Sequence, residues 1–191
     1  MQEIRDYFNH LAECWDEITC HAPDKLAAVV SLSGIKAGHR VLDIGCGTGV
    51  MTPWILAKEP GTLVGLDLAE NMIQCAGRRF SDRRLQYVAA DLYQYEGGPF
   101  DVAMIYSAYP HFTDKDAFFE KVAALLAPGG RMMIAHSQSR QVINGRHDGM
   151  RTALSRPLLP VGEEALRAKD FFDIDIIADT GDWYLISGTK R

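Results

Sequence analysis

The sequence has no CxxC pair. Its four cysteines, Cys14, Cys20, Cys46 and Cys75, are scattered. That spacing argues against a zinc ribbon or a disulfide framework and for reduced thiols in a cytoplasm. Mercury or arsenic chemistry through paired thiols is not expected either. No apolar run approaches the ~20 residues that span a bilayer, and the opening Met1-Gln2-Glu3-Ile4-Arg5-Asp6 is too polar for a secretory signal. The chain therefore reads as a cytoplasmic protein without a membrane partner. A charge excess of one sign is also missing. The 20 Lys+Arg against 25 Asp+Glu leave −5, which does not favour nucleic acid or an anionic surface as partner. Repeats, low-complexity stretches and linkers are absent. What remains, at 191 residues with 47% hydrophobic and 24% charged, is the composition of one ordinary globular domain over 1–191.

From about 38 to 135, short apolar runs alternate with helical patterns, the signature of βαβ units and a parallel sheet. The strands are read at Arg40–Ile44, Thr62–Leu66, Leu85–Ala89, Phe100–Tyr106 and Arg131–Ala135. Helices are expected near 2–15 and 23–34, from Thr48 with Pro53 in the first turn, over Glu70–Phe80, and after Thr113 as N-cap until Pro128-Gly129-Gly130 stops the chain. Ile4, Phe8, Leu11 and Trp15 fall at helical spacing. A short helix near 161–169 precedes two strands, Phe172–Ala178 and Trp183–Thr189, around the hairpin-type turn Asp179-Thr180-Gly181-Asp182. The segments are thus 1–37, a helical lid; 38–136, a core; 137–170, a basic stretch and helix; and 171–191, a β-hairpin.

The most informative stretch is Val41-Leu42-Asp43-Ile44-Gly45-Cys46-Gly47-Thr48-Gly49-Val50. A buried strand runs into alternating glycines. Gly45 permits a sharp turn, and Gly47 lets a ligand reach the backbone without meeting a Cβ. The sixth position from Gly45 is Val50, so the dinucleotide fingerprint GxGxxG fails. Asp43 works against a pyrophosphate and suits an ammonium group, which disfavours a nicotinamide oxidoreductase. Asp67 ends the second strand, 22 positions beyond Gly45, close to the ~20 expected of an acid that accepts ribose hydroxyls. Asp91 ends the third strand, where it can accept from an exocyclic amino group such as that of adenine. Any one of these elements alone reads equally well as a turn or an N-cap. Their joint placement at the carboxyl ends of successive strands, where open α/β sheets bind ligands, points to a site.

The motifs VLDIGCGTG, VGLDLAENMI, AADL, FDVAMIYSAYPHF and LLAPGGRMMI, in that order, resemble the class I S-adenosylmethionine-dependent methyltransferases. FNHLAECWDE is similar to the helix that precedes the core in small quinone-biosynthesis-type members. The resemblance implies a Rossmann-like, doubly wound α/β fold with helices on both faces of a seven-stranded sheet, mostly parallel, its last strand antiparallel. It implies S-adenosyl-L-methionine as cofactor. Gly45, Cys46 and Gly47, in the loop that Gly49 completes, would line the methionine part, with Asp43 near its amino group. Asp67 would hold the ribose, Leu68 and Met72 would border the adenine, Asp91 and Leu92 would meet its amino edge, and Ser107 would offer a backbone contact to the methionine part.

The acceptor side is less determined. Ser107-Ala108-Tyr109-Pro110 lacks the (Asn/Asp)-Pro-Pro-(Tyr/Phe) motif of amine-directed nucleic-acid enzymes and resembles the Asn-Ala-Leu-His-His-Phe stretch of small-molecule enzymes, with His111 matching its second histidine. His111 and His136, at neighbouring strand ends, are the candidate bases; each reads also as a structural hydrogen-bonder. Tyr7 and Trp15 from the helical lid, Tyr109, Arg140 and His147 are the acceptor-side candidates. Arg140, Asn144, His147 and Arg151 share one face if 138–152 is helical. That face is either solvated surface or a clamp for an acidic or carboxylated acceptor. A third reading gathers His111, His136 and His147 around a divalent metal, although their spacing does not define a metal site. The expectation is transfer of a methyl group to a small-molecule acceptor. The alternatives are a protein or tRNA methyltransferase and a non-catalytic S-adenosylmethionine-binding subunit. The sequence sets neither the accepting atom nor the oligomeric state.

Overall fold

The computed structural model describes residues 2–146 and 154–191. The chain opens with α1 (Gln2–Leu11), a 3-10 turn, α2 (Trp15–Ile18) and α3 (Pro23–Leu32). Then follow β1 (Arg40–Ile44), α4 (Thr52–Leu56), β2 (Thr62–Asp67), α5 (Glu70–Arg79), β3 (Leu85–Ala89), β4 (Phe100–Tyr106), α6 (Lys115–Leu125) and β5 (Leu126–His136). The last elements are α7 (Arg140–Arg146), α8 (Val161–Ala168), β6 (Phe172–Asp179) and β7 (Tyr184–Lys190). The seven strands form one sheet in the order β3-β2-β1-β4-β5-β7-β6. β7 runs antiparallel to both of its neighbours, while β1 to β5 pair in parallel. This is the doubly wound mixed sheet the motifs imply, with the antiparallel strand slotted between β5 and β6.

Both faces of the sheet are covered, and the period-2 alternation of strand side chains divides the core accordingly. Along β4, Ala103 and Ile105 join Phe118, Phe119 and Val122 of α6, whereas Val102, Met104 and Tyr106 join Val29 and Val30 of α3 and Ile55 of α4. Burial on two sides explains why the central strands read as near-continuous apolar runs. A smaller cluster of Ala12, Ala69, Met72 and Cys75 packs beside Phe8 and Trp15, and so joins the N-terminal helices to α5.

Local details depart from the sequence reading. The N-terminal helix expected to 15 breaks at Leu11 into the 3-10 turn and α2. The helix expected from Thr48 does not form until Thr52, because the glycine loop spends its amides on tight turns: Gly49 N donates to Cys46 O at 2.9 Å and Thr52 N to Gly49 O at 3.0 Å. Pro53 does occupy the first turn. Asp114, not Thr113, caps α6, its Oδ1 accepting from Ala117 N at 3.0 Å. β5 begins at Leu126 rather than Arg131, since Leu126 pairs with Phe100 before a register shift that Pro128-Gly129-Gly130 absorbs. All four cysteines are free. No helix among the described residues is long and apolar enough to cross a membrane.

Candidate functional site

Parallel strands present their carboxyl ends to one edge of the sheet, and a cavity opens there. Its floor is the end of β1 with the glycine loop (Asp43 to Thr48), the end of β2 with Asp67 and Leu68, the turn after β3 with Asp91 to Tyr93, and the end of β4 with Tyr106 to Ala108. Its roof is Ile4, Phe8 and Trp15, the apolar stripe of the N-terminal helices. Every cofactor-side residue expected from the sequence lines this cavity except Gly49.

The acids differ in state. Asp43 is 2% exposed, and its Oδ2 has no hydrogen-bond partner among the described residues. Burial, and behind it the charge of Asp67, pushes its carboxyl up to about 7. Asp67 braces the loop: Oδ2 accepts from Gly47 N and Oδ1 from Ala69 N, both at 2.9 Å. Burial raises its pKa, and those amide donors pull it partly back. Asp91 caps a 3-10 turn through Oδ1, which accepts from Tyr93 N at 3.0 Å. Each carboxylate oxygen retains a lone pair after one such bond. The thiol of Cys46 is buried, and burial with the two nearby acids raises its pKa well above the usual range, so it is an unreactive wall.

Two glycines do different work. Gly47, at φ +53°, faces open space: a Cβ there would meet nothing nearer than Trp15 Nε1 at 3.9 Å. Gly49, at φ +87°, is packed from behind, and a Cβ would sit 2.6 Å from Tyr87 Oη and 3.0 Å from the Phe80 ring. Gly49 therefore supports the loop, while Gly47 leaves room for a ligand.

The acceptor-side candidates scatter. Trp15 lines the cavity, and Tyr7 does not; Ile4 and Phe8 of the same helix take its place. His111 lines the cavity with its ring edge-on to Phe8 at 4.8 Å, and its Nδ1 lies 2.9 Å from Leu154 O. A carbonyl only accepts, so Nδ1 carries the proton and Nε2 is the basic nitrogen. His136 is not on the cavity wall. It is 3% exposed on the face of β5 shared by Met132 and Ile134, with its ring 6.1 Å from that of Tyr184. Tyr109 is fully buried and donates from Oη to Glu164 at 2.8 Å, so it belongs to the core. Arg140 binds Asp179 at 2.8 Å, and Asn144 is tied to both backbone groups of Leu158, so neither forms a free clamp. His147 and Arg151 lie outside the described residues. No group of side chains able to hold a metal occurs among the described residues.

The histidine that sequence reasoning missed is His21. It lines the cavity, and its Nδ1 is 3.0 Å from Tyr106 Oη. A single histidine between two helices leaves no periodic signal, so only tertiary structure brings it to the site.

Residues 41–130 match the family model of a methyltransferase domain. Among curated proteins, the chain is 31% identical over 126 residues to methyltransferase GfsG of Streptomyces halstedii, covering 63% of this chain and 44% of that protein. It is 34% identical over 103 residues to a ubiquinone biosynthesis O-methyltransferase of Caulobacter, covering 51% and 40%. The chain thus spans less than half the length of these two relatives. Among solved structures, the fold matches a chain from the complex of the Haloferax volcanii Trm112 methyltransferase activator with its methyltransferase, with a TM-score of 0.82 at 18% identity over 98% of this chain and 97% of that one. It also matches magnesium protoporphyrin IX methyltransferase from Synechocystis with bound S-adenosylhomocysteine, with a TM-score of 0.74 at 19% identity over 100% and 99%.

The residues present fit S-adenosylmethionine. The unpartnered, buried oxygen of Asp43 suits the ligand's ammonium, the only formal cation besides its sulfonium. The open face of Gly47 admits a chain against the backbone. Leu68, Met72 and Leu92 add apolar wall to the cavity that Asp67 and Asp91 line.

Proposed function

We propose that this chain is a class I S-adenosylmethionine-dependent methyltransferase and transfers a methyl group to a small and largely apolar acceptor by in-line displacement. The carrying observation is the cavity itself: three acids spaced along one strand edge beneath a roof of Ile4, Phe8 and Trp15. The name of one curated relative, a ubiquinone biosynthesis O-methyltransferase, supports a small acceptor.

When bound, S-adenosylmethionine supplies a methyl group already activated on a sulfonium. The residues of this chain then position the partners and keep water out. Asp43 holds the amino group, and Asp67 accepts the ribose hydroxyls with the lone pairs its amide contacts leave. Asp91 would accept from the adenine amino group, and Leu68, Met72 and Leu92 would border the ring. Ser107 sits in the left-handed region at φ 55°, a strained state for a non-glycine residue that turns the chain along the cavity directly after β4. Orientation of this kind accounts for about 7–11 kcal/mol of barrier reduction in well-aligned systems. Where the acceptor must lose a proton, as a phenol or an acidic carbon must, Nε2 of His111 takes it.

Phe8 connects roof and base, because the same ring that closes the cavity also packs on His111. The test is a screen of phenols, thiols, amines and acidic carbon compounds with labelled S-adenosylmethionine. Transfer to at least one small acceptor, lost in His111→Ala with cofactor binding retained, supports the reading. Label transferred to tRNA or protein and to no small compound would replace it.

A further inference from the structure

One ionisable group on the cavity wall has no place in that scheme. His21 stands between α2 and α3, with its ring centroid 5.4 Å from that of Tyr106. Tyr106 Oη bridges His21 Nδ1, at 3.0 Å, and Ser137 Oγ, at 2.7 Å. Tyr106 and Ser137 are both buried. Ser137 is tied down in turn, because its carbonyl accepts from Lys25 Nζ at 3.1 Å. A histidine gripped at one ring nitrogen by a fixed hydroxyl has its plane set, and Nε2 is its remaining polar atom.

The register of the sheet tells which end of the cavity this is. Asp43 is level with Met104, so Tyr106, two residues further on, reaches the level of Gly45. His21 therefore stands over the Asp43 end, away from Asp91. An amino-acid group whose ammonium meets Asp43 carries a carboxylate on the same carbon, and a carboxylate removed from water needs donors. The described residues lining the cavity include no lysine or arginine. The nearby amides are committed: Gly45 N and Cys46 N donate to Leu66 O, and Gly47 N to Asp67. The Thr48 hydroxyl donates to Asp16 at 2.7 Å. Arg146 lies close enough to act on His21 electrostatically, and Asp16 opposes it.

We propose that His21, held by the Tyr106–Ser137 hydroxyl pair, recognises the carboxylate at the amino-acid end of S-adenosylmethionine. This inference rests on the cofactor reading above. It makes the Asp43 end a zwitterion site, an acid for the ammonium and an imidazole for the carboxylate.

The test compares two probes by calorimetry on the full chain: S-adenosylhomocysteine and 5′-methylthioadenosine, which keeps the nucleoside and the sulfur but lacks the amino-acid end. His21→Ala should weaken S-adenosylhomocysteine about tenfold, the scale of one hydrogen bond to a charged group, and 5′-methylthioadenosine less than twofold. Tyr106→Phe, which keeps the ring and removes the hydroxyl, should give a smaller loss confined to the same probe. His21→Gln should recover part of it. Equal losses for both probes, or no loss for either, would overturn the inference and leave the cofactor reading standing. A wild-type chain that binds neither probe would overturn both.

Discussion

The floor and the roof of the cavity are built by different means. The floor grows out of the sheet: Val41, Leu42 and Ile44 are at most 1% exposed, so the glycine loop and Asp43 sit on strands that cannot shift without opening the core. The roof is attached from outside. Asn9 exchanges exposed hydrogen bonds with Glu70 and Asn71 of α5, Glu13 pairs with Arg78, and Asp16 joins Arg79 and the Thr48 hydroxyl. Exposed pairs of this sort contribute little each. The difference fits the proposed function, in which a rigid base recognises one nucleoside that enters and leaves beneath a looser cover.

The largest expected effect falls where the two meet. His111→Ala should lower turnover on an acceptor that must be deprotonated by about 100-fold or more, while S-adenosylhomocysteine binding measured by calorimetry changes less than twofold. Loss of binding in step with turnover would make His111 part of the cover rather than a base.

Next comes Asp67→Ala in the floor. It removes the acceptor of Gly47 N and Ala69 N, together with the proposed partner of the ribose. Cofactor affinity should fall about 100-fold, on the scale of two charge-assisted hydrogen bonds, and thermal melting of the free chain should fall by a few degrees. A variant that melts lower but binds normally would confine Asp67 to bracing.

Asp43→Asn separates recognition from stability through pH. Because the folded carboxyl titrates near 7 against an ordinary 3.8, the free chain binds that proton more tightly than the unfolded chain. Its stability is fully present below about pH 4 and is lost as pH rises through about 7. Melting of the free chain should therefore fall between pH 6 and pH 8, while S-adenosylhomocysteine binding strengthens as Asp43 becomes charged. Asp43→Asn should flatten much of both trends and weaken binding about tenfold at pH 8. An unchanged pH profile in the variant would assign the trends elsewhere.

The smallest effect belongs to the roof alone. Asp16→Ala, which releases Arg79 and the Thr48 hydroxyl, should weaken the cofactor by about threefold. It should also speed amide exchange in α1 and α2 without touching β1. Faster exchange in β1 as well would show that roof and floor open as one unit.

The same division explains what the sequence disclosed. Strand, glycine turn and terminal acid are local and recur at fixed spacing, so Asp43, Gly45, Gly47, Asp67 and Asp91 could be placed without coordinates. The parallel pairing of the central strands followed from the alternation of apolar runs with helices; their order in the sheet did not. The acceptor wall depends on contacts between segments far apart in the chain. His136 reads as a strand-end residue like Asp67, but the pleat turns it to the other face beside Tyr184. Arg140 reads as a free cation until β6 brings Asp179 to it. Tyr109 shares a motif with His111, yet the 3-10 turn at Tyr109–His111 sends it inward to Glu164. Gly49 belongs to the motif by spacing and to the core by packing against Tyr87 and Phe80.

The central claim is that the floor holds the nucleoside with its amino-acid end at Asp43 and its base at Asp91. A crystal structure of the chain grown with S-adenosylhomocysteine tests it most directly. Density is expected along that edge, with the ammonium against Asp43 Oδ2 and the ribose hydroxyls on Asp67. A nucleoside bound elsewhere or reversed in the cavity, or a cavity left empty at saturating ligand, would contradict it.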